Sequence, residues 1–329
     1  MRILINTMGY SPHLGDNIKA DYLANWILHG FRELFGADAV DFPKQDFMYP
    51  NFPNPMGLWG RGFGYSSSLS DIPINRDPDF INRQILDNQY EAIIFCLHHS
   101  IHNNPGQLYH MLGWLVQNGV KSKIITCDGN DHRSTYLDAF KFPLDIHLFK
   151  REIPDGMDER VKPISFAVPK NLVVKKVPKK IRLLAPVIPA DFGTENRKTH
   201  VFMDQESYYK SYQESWFGIN VEKGGVCCQR IFDVLSNACI TIFGDLENCP
   251  TRTHVNLPKK ELLAVKDIPG LILKQRVFNK HQIDSDSVTF TDEINYGELE
   301  RQAEFFLDYT RNNLTTEALA VYILSEIGV

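Results

Sequence analysis

The residues best suited to chemistry in this chain are gathered in residues 217–250, FGINVEKGGVCCQRIFDVLSNACITIFGDLENCP. The stretch reads as a strand, a glycine turn, a short amphipathic helix and a second strand. The turn carries Lys223, Gly224 and Gly225, and the helix carries Arg230 and Asp233 one turn apart near its start. A glycine turn that feeds a helix N-terminus can hold phosphate, because backbone N–H groups and the helix dipole both favour an anion. A carboxylate just inside such a helix can bind the paired hydroxyls of a ribose. Together these features point to a nucleotide-sugar site.

Further candidates stand at the ends of apolar runs. After the first run, MGYSPHLGDN offers His13 and Asp16 as acceptor-side groups, with Asp16 equally able to cap the next helix. FCLHHSIHNNPG places His98, beside His99 and His102, at a strand end as a proton acceptor or phosphate partner; a fourth ligand for zinc is missing from the spacing. IITCDGNDHRSTY carries Asp128 and Asp131 around Gly129, followed by His132 and Arg133. A carboxylate there could take the proton of an attacking hydroxyl. The same spacing could hold Mg²⁺, or simply satisfy a turn and a helix cap. Lys150 and Arg151 in LFKREIP, and Arg197 before VFMDQE, could contact a diphosphate or merely be solvated. Arg61, set between glycines in WGRGFGYSSS, could grip a phosphate or carboxylate, or belong to a surface loop anchored by Trp59 and Phe63.

The elements that must position these groups alternate between strand and helix. Strands are expected at residues 2–8, 39–42, 92–97, 123–127 and 145–149. Helices are expected at 14–35, 79–86, 106–117 and 134–140. An aromatic-rich loop over 43–77 is expected to be ordered. This pattern predicts βαβ units and a parallel sheet. The lysine- and proline-rich stretch PKNLVVKKVPKKIR marks an expected linker at 169–180, dividing a domain at 1–168 from one at 181–329. In the second half, strands are expected at 182–187, 216–221 and 239–243. Helices are expected at 204–214, 226–237, 259–264 and 267–275, followed by two C-terminal helices that pack back toward the first domain. The expected architecture is α/β, with two Rossmann-like domains facing a cleft and ligands at the C-terminal ends of strands.

Composition sets the outer bounds. The chain has 329 residues, 43% hydrophobic and 23% charged, with a formal net charge of −5, which gives no global attraction to nucleic acid or anionic membrane. The six cysteines lack a C-x-x-C pair, and Cys227 and Cys228 are adjacent, so buried thiols in a reducing cytoplasm are expected rather than zinc or disulfides. The N-terminus starts straight into a strand, so no signal peptide is expected, and no apolar run has membrane-spanning length.

These motifs carry a resemblance. The G-G-x-x-C-x-R-x-x-[ED]-x-L segment followed by a strand resembles the donor site of nucleotide-sugar glycosyltransferases with the GT-B fold, and more distantly the exostosin-like pattern. YYKSYQESWFGINVEKGGVCCQRIFDVLSNACITIFGDLENCP is similar to a group of glycosyltransferase-like proteins of bacteria and their phages. That group shows a G-G-W-D-C-x-R-x-x-E core, an ENCP ending, a G-R-G-F loop (60–63 here), a D-G-x-D turn (128–131), an F-K-R-E strand end (149–152), an S-F-A-x-P boundary (165–169) and N-L-T-T-E-A (313–318). Here Val226 and Cys227 replace Trp-Asp, and Asp233 replaces Glu.

The resemblance implies transfer of a sugar from a nucleotide diphosphate sugar to a hydroxyl, with no obligatory metal. Lys223, Gly224, Gly225 and Arg230 would hold the diphosphate, joined by Arg197, Lys150 and Arg151, and Asp233 would hold the ribose. Asp128, Asp131, Asp16 or His98 would act as base if the reaction inverts the sugar carbon, or orient the acceptor if it retains configuration, and Arg61, His13 and Arg133 would meet the acceptor. That acceptor is either a surface glycan or a hydroxymethylated base in phage DNA. The alternative is a non-catalytic nucleotide-sugar or glycan-binding protein on the same scaffold.

Overall fold

Apolar β-branched runs form the centre of a parallel sheet, as residues buried on both faces must. The computed structural model describes residues 1–8, 21–97, 105–186, 202–222, 225–244, 246–274 and 287–329. His13, Asp16, His98, Arg197, Lys223 and Gly224 lie outside the described residues. The chain divides into two units, Met1–Ser165 with Thr316–Val329, and Phe166–Thr315.

In the first unit the strands are β1 (Ile3–Met8), β2 (Ala39–Phe42), β3 (Ala92–Leu97), β4 (Lys123–Asp128), β5 (Ile146–Lys150) and β6 (Val161–Pro163). They pair in the order β2-β1-β3-β4-β5-β6, every pair parallel. The direction of winding reverses at β1, which lies between β2 and β3, and crevices for ligands form outside the carboxyl ends of strands at such a point. Leu4, Ile93, Phe95, Ile124 and Leu148 pack with Ile81 and Ile85 of α2 (Pro78–Leu86) and with Leu108, Leu112 and Leu115 of α3 (Gly106–Gln117). The alternate residues Ile3, Ile5, Ile94 and Ile125 are equally buried, so both faces are covered.

Helix α1 (Tyr22–Phe35) starts later than the expected residue 14, because Asp21 caps it: Oδ1 accepts from Leu23 N at 2.8 Å and Ala24 N at 3.2 Å. A helix expected at 134–140 is instead one short 3₁₀ turn, Leu137–Lys141. The aromatic loop after β2 is ordered as expected. Buried Asp41 accepts from Arg32, Arg76, Tyr49 and the backbone of Gln45, which pins the loop to β2. Tyr65 meets Tyr22, Trp26 and Phe47 edge-on.

The second unit holds β7 (Arg182–Leu184), β8 (Ser215–Asn220) and β9 (Ile240–Phe243), a parallel set in that order. Helices α4 (Gln205–Gln213) and α5 (Gln229–Ser236) follow β7 and β8 in sequence. Next come α6 (Lys259–Ala264), an antiparallel pair of β10 (Leu271–Leu273) with β11 (Val288–Phe290), and α7 (Tyr296–Asn313). The expected helix at 267–275 gives way to β10, since Leu271, Ile272 and Leu273 find partners in β11, far along the chain. Phe217, Ile219, Ile240 and Ile242 form a core with Phe232 and Leu235 of α5 and Leu299, Ala303 and Phe306 of α7.

Residues 169–180 are no free linker. They belong to the second unit: Val173 joins its core, Val174 N donates to Ser236 O at 2.9 Å, and the Lys180 ammonium donates to Ala238 O at 2.7 Å. Of the two C-terminal helices, α7 stays in the second unit and α8 (Thr316–Glu326) belongs to the first. There His29 Nδ1 lies 2.9 Å from Thr316 Oγ1, and Tyr322 donates to Pro163 O at 2.8 Å. Among the described residues, no helix is long and apolar enough to cross a membrane.

Candidate functional site

Two sets of residues deserve the name of candidate site, one in each unit. In the first, strand pairing sets Asp128 beside Lys150 at the carboxyl ends of β4 and β5. Asp128 Oδ1 accepts from the backbone and side-chain nitrogens of Asn130, at 3.0 and 2.8 Å. The Lys150 ammonium stands 3.2 Å from Asp128 Oδ2 and donates to Asn130 O at 2.9 Å. Both side chains are buried. Burial pulls the Lys150 ammonium below its usual range, and the Asp128 carboxylate opposes that. Arg151 donates to Gly129 O and Glu152 Oε1, both at 2.8 Å, and to Asp131.

These bonds bear on three of the expected site residues. Lys150 is committed to its own loop and has no exposed surface with which to meet a diphosphate. Arg151 is buried and holds Gly129, Asp131 and Glu152 in place. Asp128 satisfies its own turn and counters Lys150. Asp131, with its side chain 53% exposed, is the carboxylate that this strand end offers to solvent. Arg133 is exposed nearby in sequence, and Arg61 is half-buried.

Two glycine motifs converge on the first turn of α1. A Cβ on Gly129 would stand 3.1 Å from Leu23 Cβ and 3.3 Å from Asp21 Oδ1. A Cβ on Gly60 would stand 2.0 Å from Tyr22 Oη, and Gly60, Arg61 and Gly62 all have positive φ. Glycine at 60 thus answers both a close approach and a left-handed backbone. Asp21 was missed in the sequence because Asp16, in GDN, competes for the cap. Burial pushes the Asp21 carboxyl up, against its backbone bond to Ala24 and the field of Arg151. One turn on, Asn25 is buried with neither side-chain end bonded among the described residues.

In the second unit, Asp233 sits one turn into α5 and is only 8% exposed. Tyr208 of α4 donates to its Oδ2 at 3.0 Å, and Gln229 donates to its Oδ1 at 3.2 Å. The same Gln229 nitrogen reaches Ala167 O at 3.2 Å. Burial pushes the Asp233 carboxyl up to about 6, opposed by Gln229, Tyr208 and the Arg230 charge. Arg230 is half-buried in the first turn of α5. No side-chain bond caps that helix at Cys228; the Cys228 thiol instead donates to Gly225 O at 3.3 Å and Val221 O at 3.6 Å, which ties the turn to the end of β8. Tyr208 opens the stretch quoted for the resemblance and Gln229 fills a variable position of its core, but neither was expected to bond Asp233.

Val226 and Cys227 lie in the apolar core of this unit, at 5% and 1% exposure. An unpaired carboxylate at either position would be costly to bury. At the carboxyl end of β8, Asn220 is fully buried and its amide has no partner among the described residues. A concavity of about 590 Å³ beside β10 and β11, lined by Lys266, Asp267, Gly270, Thr291 and Glu293 among others, includes none of the candidate residues. Among the described residues, no three His, Cys, Asp or Glu side chains group to hold a metal. No family model matches the sequence, and no curated protein matches it.

Proposed function

We propose that the chain is a glycosyltransferase of the GT-B kind, moving a sugar from a nucleotide diphosphate sugar to a hydroxyl. One observation carries this reading. A parallel strand, β8, runs through a glycine-containing turn into α5, and that helix presents Arg230 in its first turn and the carboxyl of Asp233 one turn later. In the reaction, negative charge builds on the departing diphosphate. Arg230 would stabilise it together with Lys223 and the N-terminus of α5. Asp233 would accept from a ribose hydroxyl once that hydroxyl displaces Gln229 or Tyr208. If the reaction inverts the sugar carbon, Asp131 would take the acceptor proton, being the exposed carboxylate at the β4 end. If it retains configuration, Asp131 would orient the acceptor. The acceptor class is either a glycan or a hydroxymethylated base in DNA.

A thermal-shift screen against nucleoside diphosphates and their sugars tests the reading, since a ligand that binds only the folded chain raises its apparent stability. One nucleotide is expected to stabilise the protein, and its sugar is expected to be released to an acceptor. A second reading, a non-catalytic nucleotide-sugar or glycan-binding protein, draws on the Asp128–Lys150 pair, which neutralises one of the two strand-end acids. Nucleotide binding without sugar transfer under any acceptor condition would favour it.

A further inference from the structure

Residues 169–182 contain six basic side chains and no acid, in a chain whose formal net charge is −5. The segment is tied down along its length. Val174 N donates to Ser236 O at the end of α5, and Arg311 donates to Val174 O at 2.7 Å. Ile181 N donates to Glu214 O at 2.8 Å. Lys180 reaches Ala238 O, so its ammonium is spent on the turn that follows α5. Two acids next to groups that bond the segment are also spent. Glu214 pairs with Arg182, and Asp308 pairs with Arg311 at 2.7 Å.

What remains is Lys170, Lys175, Lys176 and Lys179. All four are exposed and none has an ion pair among the described residues. Four like charges on a backbone held by hydrogen bonds form a preorganised line of positive potential, which loses little conformational freedom on meeting a linear polyanion. We infer that this ribbon docks the phosphodiester backbone of a nucleic acid. A lipid surface fits less well, because membrane-surface segments bury a continuous apolar face, and the large apolar side chain exposed within the ribbon is Ile181 alone. Val174 and Lys180 anchor the ribbon from its middle onward beside the C-terminal end of α5, whereas Arg230 lies at the start of that helix. The inference does not rest on the transferase reading.

Fluorescence anisotropy with a short unmodified DNA duplex, followed across salt concentration, tests it directly. Four phosphate contacts give a log–log slope of about −3.6, an affinity loss of about 150-fold between about 50 and 200 mM salt. The variant Lys170→Gln, Lys175→Gln, Lys176→Gln, Lys179→Gln is expected to abolish duplex binding while keeping the thermal unfolding midpoint. The single variants Lys175→Gln and Lys179→Gln serve if the quadruple variant unfolds, each lowering the slope by about 0.9. An absence of duplex binding at the lower salt, an unchanged slope in the variants, or binding only to anionic lipid vesicles would overturn the inference.

Discussion

Tyr208 donates its phenolic hydrogen to Oδ2 of Asp233 over 3.0 Å, on the carboxylate oxygen opposite the one that Gln229 holds. The carboxyl proposed to meet ribose is thus held on both of its oxygens. Under the proposed function a ribose hydroxyl would exchange with one of these donors, so Tyr208 and Gln229 would set how readily a nucleotide is accepted. Removing Tyr208's hydroxyl with Tyr208→Phe frees one oxygen but leaves Asp233 less well supported as an anion.

Asp233 makes stability pH-dependent with a definite sign. Its folded value of about 6 lies above the ordinary 3.8. Between these values the folded chain keeps a proton that the unfolded chain has released, so stability falls as pH rises. The contribution is full below about pH 4 and is lost through pH 6, at about 3 kcal/mol. Urea unfolding of Asp233→Asn across this range should show a flatter profile than the wild type. An identical profile in the two proteins would remove Asp233 as the cause.

His29 acts in the opposite direction. Burial lowers it from 6.5 to about 4. The unfolded chain binds the proton first, so this contribution is present above about pH 6.5 and is lost as pH falls toward 4, again by about 3 kcal/mol. Hydrogen exchange of α1 amides should reveal the loss in acid. In His29→Gln that acid sensitivity should shrink, together with the bond to Thr316.

Gly30 reports how closely α1 and α8 pack. A Cβ there would stand 1.9 Å from Thr316 O and 2.6 Å from its carbonyl carbon, atoms of a helix backbone that cannot move alone. Gly30→Ala is expected to destabilise the first unit by about 3 kcal/mol. Gly36→Ala is the control. It has a φ of 54° and nothing within 4 Å, so it should cost only the left-handed strain, about 1–2 kcal/mol. Chemical denaturation would separate the two, and equal losses would refute the close crossing.

The two strand-end aspartates should separate cleanly by measurement. Asp128→Asn leaves the Lys150 ammonium buried without its counter-charge, at a cost of about 3–5 kcal/mol. Replacing both residues with apolar ones should recover much of that loss. Asp131→Asn should cost less, about 1 kcal/mol, because Asp131 is half exposed and Arg151 keeps Glu152 as a counter-charge. Under the inverting reading it should lower kcat by about 100-fold or more with nucleotide affinity unchanged. Full activity in Asp131→Asn would discard it as the base.

Much of the framework was legible because local pattern dictates it. β3 and α3 fall on the residues that apolar run length and three–four periodicity predict, 92–97 and 106–117. The failures have one physical character. β10 looks helical until its partner β11 is known, and residues 169–180 look like a linker until Ser236 and Ala238 supply their bonds. The candidate site follows the same rule. Arg230 and Asp233 were visible as a motif, whereas Tyr208, which bonds Asp233, lies 25 residues away in sequence. The Asp128–Lys150 pair arises only when β4 and β5 align.

The central claim is that Arg230 and Asp233 of α5 belong to a nucleotide diphosphate site. Its most direct test is the unfolding midpoint of wild type and Arg230→Ala, each with and without saturating nucleoside diphosphate. A ligand at about 100 times its Kd stabilises by about 2.7 kcal/mol. The wild type should show a rise of several degrees with one diphosphate, and Arg230→Ala should show none. Equal rises in the two proteins, or no rise in the wild type with any nucleoside diphosphate, would contradict the claim.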